Sequence, residues 1–342
     1  MSTLLAFLPA AGHRLPNHPE HPGRVEAIGR LLESKGVLPD LMPLEAAAAT
    51  EEQLQRVHSQ HLIATVRSAS AGGTGRLDAD TYYTAYSYDA ACLAAGAAAA
   101  AVDAILSGAA SNGLALIRPP GHHAERDRAG GFCLFNNVAV ATAQARAAGL
   151  ERLLILDFDV HHGNGTQELF YADPAVLFVS LHLYYPFFYP GSGAAEESGI
   201  GAGKGATINI PFGPGAGDLA YAAAFERVIA PAARRLRPEM ILISAGFDAH
   251  WSDPLAMAAM SLRGYAELVH AVISLAEELC AGRALFVLEG GYQLEALAFG
   301  VLNLAYALLG RDEIVDPLGP SAEPAADMGA ILSYVQRLHL LP

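Results

Sequence analysis

Six short apolar runs punctuate the chain: Leu114–Ile117, Leu153–Phe158, Val176–Leu181, Thr207–Ile210, Met240–Ser244 and Ala284–Leu288. They lack strict polar alternation, which is what strands covered on both faces require. Longer stretches of helical periodicity lie among them, near Arg24–Ser34, Asp89–Ser107, Asn137–Ala148, Leu219–Leu236, Leu262–Leu279 and Leu294–Leu309. Strands alternating with helices predict an α/β fold with a central parallel sheet and helices on both faces. Neither a repeat nor a long low-complexity linker divides the chain, so residues 1–342 read as one domain. The stretch Pro186–Gly205 reads as a long loop of the kind that often carries function, and Pro317–Asp327 as an irregular tail. The segment Ala90–Ala110 is the nearest to a membrane span. It is Ala-rich and interrupted by Gly96 and Asp103, and predicts a core helix instead.

Polar segments follow four of the six runs. Arg118-Pro-Pro-Gly-His-His123 comes after Leu114–Ile117, and Asp157–His162 closes Leu153–Phe158. Gly246-Phe-Asp248 follows Met240–Ser244, and Glu289-Gly-Gly-Tyr292 follows Ala284–Leu288. All four fall at carboxyl ends of strands, where open α/β sheets place their sites.

The segment Asp157-Phe-Asp-Val-His161 carries the most chemistry. Two-residue spacing on an extended backbone sends alternate side chains to one side, so Asp159 and His161 can face one ion. A carboxylate and an imidazole suit Zn²⁺, and Asp248 supplies a third ligand while leaving a fourth position open. His250 and Asp253 are ligand-like in type, but Asp253-Pro254 reads as a loop-shaping pair. His122 and His123 follow a rigid Pro-Pro-Gly turn and can share proton transfer, given an orienting partner each; Asp157 serves one and Asn164 the other. Tyr292, after two glycines, can donate a hydrogen bond to a developing oxyanion. Aromatic loops at Gly130-Gly-Phe-Cys133 and Tyr184–Gly191 can form a narrow slot for an aliphatic stem.

Composition narrows the class further. Of 342 residues, 52% are apolar and 16% charged, enough for a substantial core. The net charge of −14 argues against direct nucleic-acid binding, which needs a basic surface. Three widely spaced cysteines, Cys92, Cys133 and Cys280, predict a reducing compartment. The amino terminus lacks the basic region of a signal peptide. A cytoplasmic location and no membrane association are the expectation; oligomeric state is open.

The chain resembles the zinc-dependent histone deacetylase superfamily, which includes bacterial histone deacetylase-like amidohydrolases and acetylpolyamine amidohydrolases. The matching segments run in family order over roughly residues 13–310. They include His18-Pro-Glu-His-Pro-Gly-Arg24, Arg118-Pro-Pro-Gly-His-His-Ala124, Gly131-Phe-Cys-Leu-Phe-Asn-Asn137, Asp157-Phe-Asp-Val-His-His-Gly-Asn-Gly-Thr-Gln167 and Ser180-Leu-His182. Tyr189-Pro-Gly-Ser192, Ala245-Gly-Phe-Asp248, Asp253-Pro-Leu255 and Glu289-Gly-Gly-Tyr292 complete the set. Asn164 and the Arg-Pro-Pro-Gly-His-His wording are similar to the class II branch. The resemblance implies the arginase/deacetylase fold and one Zn²⁺ held by Asp159, His161 and Asp248. It assigns base and acid to His122 and His123, backed by Asp157 and Asn164, and the phenol to Tyr292. It makes Gly131, Phe132 and Tyr189 part of an acyl-lysine tunnel, with Asp80 and Leu255 at its rim and Arg24 in an internal channel. It also implies structural K⁺ or Na⁺: one site would use Asp157, Asp159, His161, Ser180 and Leu181, the other Phe170, Asp173 and Val176.

The activity so implied is hydrolysis of N6-acetyl-lysine or another acyl-lysine to lysine plus the acid. An acetylpolyamine amidohydrolase is the alternative, against which Leu255 stands where polyamine-selective relatives tend to place an acid. An arginase-like two-metal site would want a carboxylate at position 250, which is His. A non-enzymatic binding module would lack a ligand or the tyrosine, and here all are present.

Overall fold

The protein is described by a computed structural model covering residues 2–342. Ten strands are present: β1 Thr3–Leu8, β2 Met42–Pro43, β3 Gly75–Arg76, β4 Tyr82–Tyr83, β5 Asn112–Ile117, β6 Leu153–Asp157, β7 Val176–Leu183, β8 Thr207–Phe212, β9 Met240–Ala245 and β10 Ala284–Leu288. Eight form one sheet in the order β2-β1-β5-β10-β9-β6-β7-β8, every pairing parallel. The remaining two, β3 and β4, pair antiparallel beside it. The six apolar runs all become strands, and the expected α/β architecture with a central parallel sheet holds.

Burial explains the missing alternation. Leu153 and Ile155 of β6 pack into one hydrophobic cluster, while Leu154 and Leu156 pack into a second on the opposite face. The neighbouring β7 divides in the same way, Val176 and Phe178 against Leu177, Val179 and Leu181. With apolar contact on both faces, these strands are apolar on both sides up to their carboxyl ends, where Asp157, Ser180 and His182 enter.

The helix Ser87–Leu106 is long and apolar enough to cross a bilayer, yet most of it is buried against the sheet and the helix Asn137–Ala147. It is the core helix the sequence predicts. The predicted helix Leu219–Leu236 is instead interrupted: α-helix over Asp218–Ala224, a wide π turn over Phe225–Ile229, then α-helix over Ala230–Leu236. Pro231 is the reason. It has no N–H for the carbonyl four residues back, and its ring pushes that turn open. The irregular tail is as expected as far as Asp327, after which Gly329–Leu338 forms a further helix.

One buried histidine ties the fold to the loops above the sheet. His58 donates from Nδ1 to the Glu125 carbonyl (2.9 Å) and accepts the Asn136 N–H at Nε2 (2.8 Å). Asn136 in turn caps the helix Asn137–Ala147 by accepting the Ala139 N–H. Only a neutral ring can make both bonds. Burial holds His58 down to about 4, and His13 likewise to about 4. Unfolded histidine titrates near ~6.5. The stability contributed by the neutral rings is therefore complete above that value and lost as pH falls through the window toward 4. The apparent unfolding midpoint should drop between pH 7 and pH 5, and His58→Ala should cost about 1–3 kcal/mol at pH 7 while flattening part of that dependence. Thermal melts of both proteins across the pH range check this.

Candidate active site

The four motif-bearing strands are immediate neighbours at the centre of the sheet, β5-β10-β9-β6. Asp157 is level with Ser244, and Leu288 with Ala245, so the loops leave the sheet at one height. This brings residues from distant parts of the chain to one place.

Asp159 and His161 lie just beyond β6, which ends at Asp157, so strand alternation does not aim them. A relay of side-chain caps does. Asp157 Oδ1 accepts the Asp159 N–H (3.1 Å), and Asp159 Oδ1 accepts the His161 N–H (2.9 Å). The outcome matches the expectation: His161 Nδ1 sits 3.1 Å from Asp159 Oδ1 and 3.2 Å from Asp248 Oδ2. One donor atom from each of the three residues lies within 4.8 Å of the others. The outer oxygens are already engaged, Asp159 Oδ2 by the Gly290 N–H (2.7 Å) and Asp248 Oδ1 by the Val160 N–H (2.9 Å).

Both carboxylates are completely buried and need positive charge nearby. Burial lowers the His161 pKa, but hydrogen bonds and charge from Asp159 and Asp248 outweigh it and push the ring up to about 10. Carboxylates that draw positive charge to this point would be compensated more fully by a divalent cation held by these nitrogen and oxygen donors. The donor set therefore fits a metal ion.

His122 and His123 stand beside this group, their ring centroids 3.9 Å apart. Adjacent side chains would normally diverge. Here Glu289, fully buried, accepts the Gly121 N–H (2.7 Å) and the His122 N–H (3.2 Å), which fixes the turn. The orienting partners are those expected: His122 Nδ1 meets Asp157 Oδ2 at 3.0 Å, and His123 Nδ1 meets Asn164 Oδ1 at 2.7 Å. Asn164 donates its amide to Glu125 Oε1 (2.8 Å), so its oxygen faces His123 and the imidazole is the donor. Burial opposes charge on both rings. On His122 the charges of Asp157 and Asp159 win and raise it to about 10. On His123, His122 and His161 add to burial and hold it well below the usual range.

Tyr292 closes the floor. Its backbone N–H donates to Asp253 Oδ2 (2.7 Å), and Asp253 Oδ1 accepts the Leu255 N–H (3.0 Å), so Asp253 shapes the loop as expected. Burial, together with Asp248 and Asp159, raises the phenol well above its usual range and keeps it a donor. The Arg24 guanidinium lies 4.9 Å from the ring centroid, fully buried, with bonds to the carbonyls of Gly291 (2.7 Å) and Glu289 (2.6 Å). His250 bonds Ser252 and stands outside the metal group.

Above the floor opens a pocket of about 240 Å³. It is lined by Asp80, His123, Gly131, Phe132, His161, Phe188, Tyr189, Leu255 and Tyr292. All five residues expected at the tunnel are there. Gly131 has φ +55°, and a Cβ would lie 2.3 Å from the His123 ring, so only glycine lets the wall come this close. His18 Nε2 holds the Asp80 carbonyl (3.1 Å) at the rim. For the expected K⁺ or Na⁺ positions, Asp157 and Ser180 are paired across β6 and β7 with Leu181 beside them, and the Asp173 N–H bonds the Phe170 carbonyl (3.0 Å) just before Val176.

Residues 18–308 match the family described as the Histone deacetylase domain. The chain belongs to the histone deacetylase family. Histone deacetylase 15 of Arabidopsis thaliana is 42% identical over 298 residues, covering 86% of this chain and 53% of its own length. The polyamine deacetylase HDAC10 of Homo sapiens is 40% identical over 331 residues, covering 93% of this chain and 48% of its own. The chain thus spans about half the length of these relatives. The crystal structure of the HDA15 HD domain superposes with a TM-score of 0.91 at 38% identity, covering 99% of this chain and 94% of that one. The protein is accordingly a hydrolase of the deacetylase and amidohydrolase kind.

Sequence reasoning missed several residues of this candidate site. Phe188 stacks flat on His161, 5.0 Å between centroids and 6° between planes, and forms one wall. The aromatic run Tyr184–Tyr189 signalled it without singling it out. Glu20 and Arg118 form a buried ion pair under the floor, with Arg118 Nη2 2.6 Å from Glu20 Oε2. An arginine directly after an apolar strand, and a glutamate inside the His-Pro-Glu segment, were the available signals. Gly290, by contrast, was signalled as the first of the two glycines that let the backbone pass close to the site, and it does so: a Cβ there would lie 2.1 Å from Asp248 Oδ2 and 2.5 Å from Asp159 Oδ2. Gly290→Ala should leave the circular dichroism spectrum native while reducing bound divalent metal at least about tenfold, as loss of ligand support does; equilibrium dialysis followed by elemental analysis checks it.

Proposed function

We propose that this chain is a zinc-dependent deacylase that hydrolyses acyl-lysine side chains, N6-acetyl-lysine plus water giving lysine and acetate. One Zn²⁺ per chain would be held by Asp159, His161 and Asp248. The observation that carries the reading is the meeting of that ligand set with two oppositely tuned imidazoles and a free phenol at the floor of one pocket. A divalent ion here supplies Lewis-acid polarisation of the acyl carbonyl and acidifies water.

The chain's own residues supply the rest. His123, kept neutral, takes the proton of the attacking water and returns it to the departing amine nitrogen. His122, oriented through its Asp157 bond and drawn toward its charged form by that carboxylate, stabilises negative charge. Tyr292 donates to the carbonyl oxygen as it gains charge. Phe132, Phe188 and Tyr189 enclose the aliphatic stem and exclude water, and Asp80 offers acceptors at the rim. K⁺ or Na⁺ near Ser180 and near Asp173 would serve a structural purpose. Three buried, unpaired cysteines support a cytoplasmic setting.

A second reading, acetylpolyamine hydrolysis, is favoured by the likeness to HDAC10. Leu255 opposes it, because an apolar residue lines the pocket where a second ammonium would want a carboxylate.

Tyr292→Phe should keep one zinc per chain and lower turnover about 10²–10³-fold, the typical cost of one oxyanion donor. Asp248→Ala should lose both metal and activity. Metal analysis and initial rates check the pair; an active Tyr292→Phe protein removes the phenol from the mechanism. Acetyl-lysine peptides should be cleaved with higher kcat/KM than acetylputrescine, and the reverse order would select the second reading.

A further inference from the structure

The catalytic pocket occupies the carboxyl ends of the strands. A second cavity lies at the opposite end of the sheet, around the segments that lead into β7, β8 and β9. Its volume is about 720 Å³, three times that of the catalytic pocket at about 240 Å³, and the two share no lining residue. Leu177, Leu236 and Leu338 give it apolar walls, and Lys204, Arg235 and His339 give it polar ones.

The charges here are uncompensated. Neither Lys204 nor Arg235 pairs with a carboxylate among the described residues. Arg235 reaches only the His339 carbonyl, at 2.8 Å. One carboxylate, Glu196, lines the cavity, and its Oε1 is taken by the Tyr334 hydroxyl at 2.7 Å. His339 is 5% exposed, and its Nε2 has no hydrogen-bond partner. Burial first, and then Arg235 and Lys204, hold that ring down to about 4. The two cations therefore act on the buried imidazole with no carboxylate offsetting them. In a chain of net charge −14, a concave apolar site with unpaired cations is where an anion is drawn.

We propose that this cavity binds a small organic anion, with an acidic head, carboxylate or phosphate, between Lys204 and Arg235 and an apolar body against Leu177, Leu236 and Leu338. The head brings the missing negative charge, and the body fills a space too large for a simple ion. The orphaned His339 Nε2 is the remaining polar contact on offer.

Calorimetric titration of octanoate, octyl phosphate and neutral octanamide into the chain of residues 1–342 tests this. Wild type is compared with Lys204→Gln/Arg235→Gln and with Leu338→Trp, which fills the cavity. One of the two acids should bind at a single saturable site, at least roughly tenfold tighter than octanamide, and both variants should weaken it by at least roughly tenfold. Unfolding midpoints without probe should match wild type, since all three substituted residues are solvent-facing. Preference for octanoate identifies a carboxylate head, and preference for octyl phosphate a phosphate head. Octanamide binding as tightly as the acids, acid binding unchanged in the double variant, or no saturable binding of any probe overturns the proposal.

Discussion

Four carboxylates, Asp157, Asp159, Asp248 and Glu289, sit fully buried around the ends of four adjacent strands. Ionised groups at such depth are tolerated only when hydrogen bonds and positive charge surround them. Much of the site follows from satisfying them. Backbone N–H groups of residues 121, 122, 159, 160, 161 and 290 point inward to serve them. Those same N–H groups belong to the turns that carry the two histidines, the candidate ligands and the path to Tyr292. The electrostatic requirement and the catalytic geometry are therefore one arrangement.

The two histidines show how position alone separates chemically identical groups. His122 faces two carboxylates, whereas His123 faces an amide oxygen and three other rings. One ring is biased toward its charged form and its neighbour toward its neutral form, within a single dipeptide. The uncharged Asn164 behind His123 keeps that contrast.

Much of this was legible in the sequence because the strands are buried on both faces and so appear as unbroken apolar runs. The motif that ends each run then reads directly as a strand-end loop. Where that logic weakened, reading failed. β1 is also an apolar run, but at the amino terminus it lacks the preceding helix that would mark it as part of the alternation. β2 and β3 are two residues long and carry no period. The helix Asn164–Phe170 opens on Asn-Gly-Thr, poor helix formers, and is too short for periodicity. The π turn depends on a proline seen only in relation to its carbonyl four residues back. Asp159 and His161 were assigned to the same direction correctly, but the cause lies in side-chain caps beyond the strand. Phe188 could not be told from its aromatic neighbours, since loop direction is a tertiary matter.

The amino-terminal segment has a role out of proportion to its distance from the ligands in the chain. Glu20 neutralises Arg118, and Arg24 grips the carbonyls of Glu289 and Gly291 from beneath. Glu20 and Arg24 are thus a keystone set under the hearth. A protein shortened to begin after Arg24 would keep every ligand and both imidazoles, yet the platform on which Tyr292 rests would be gone.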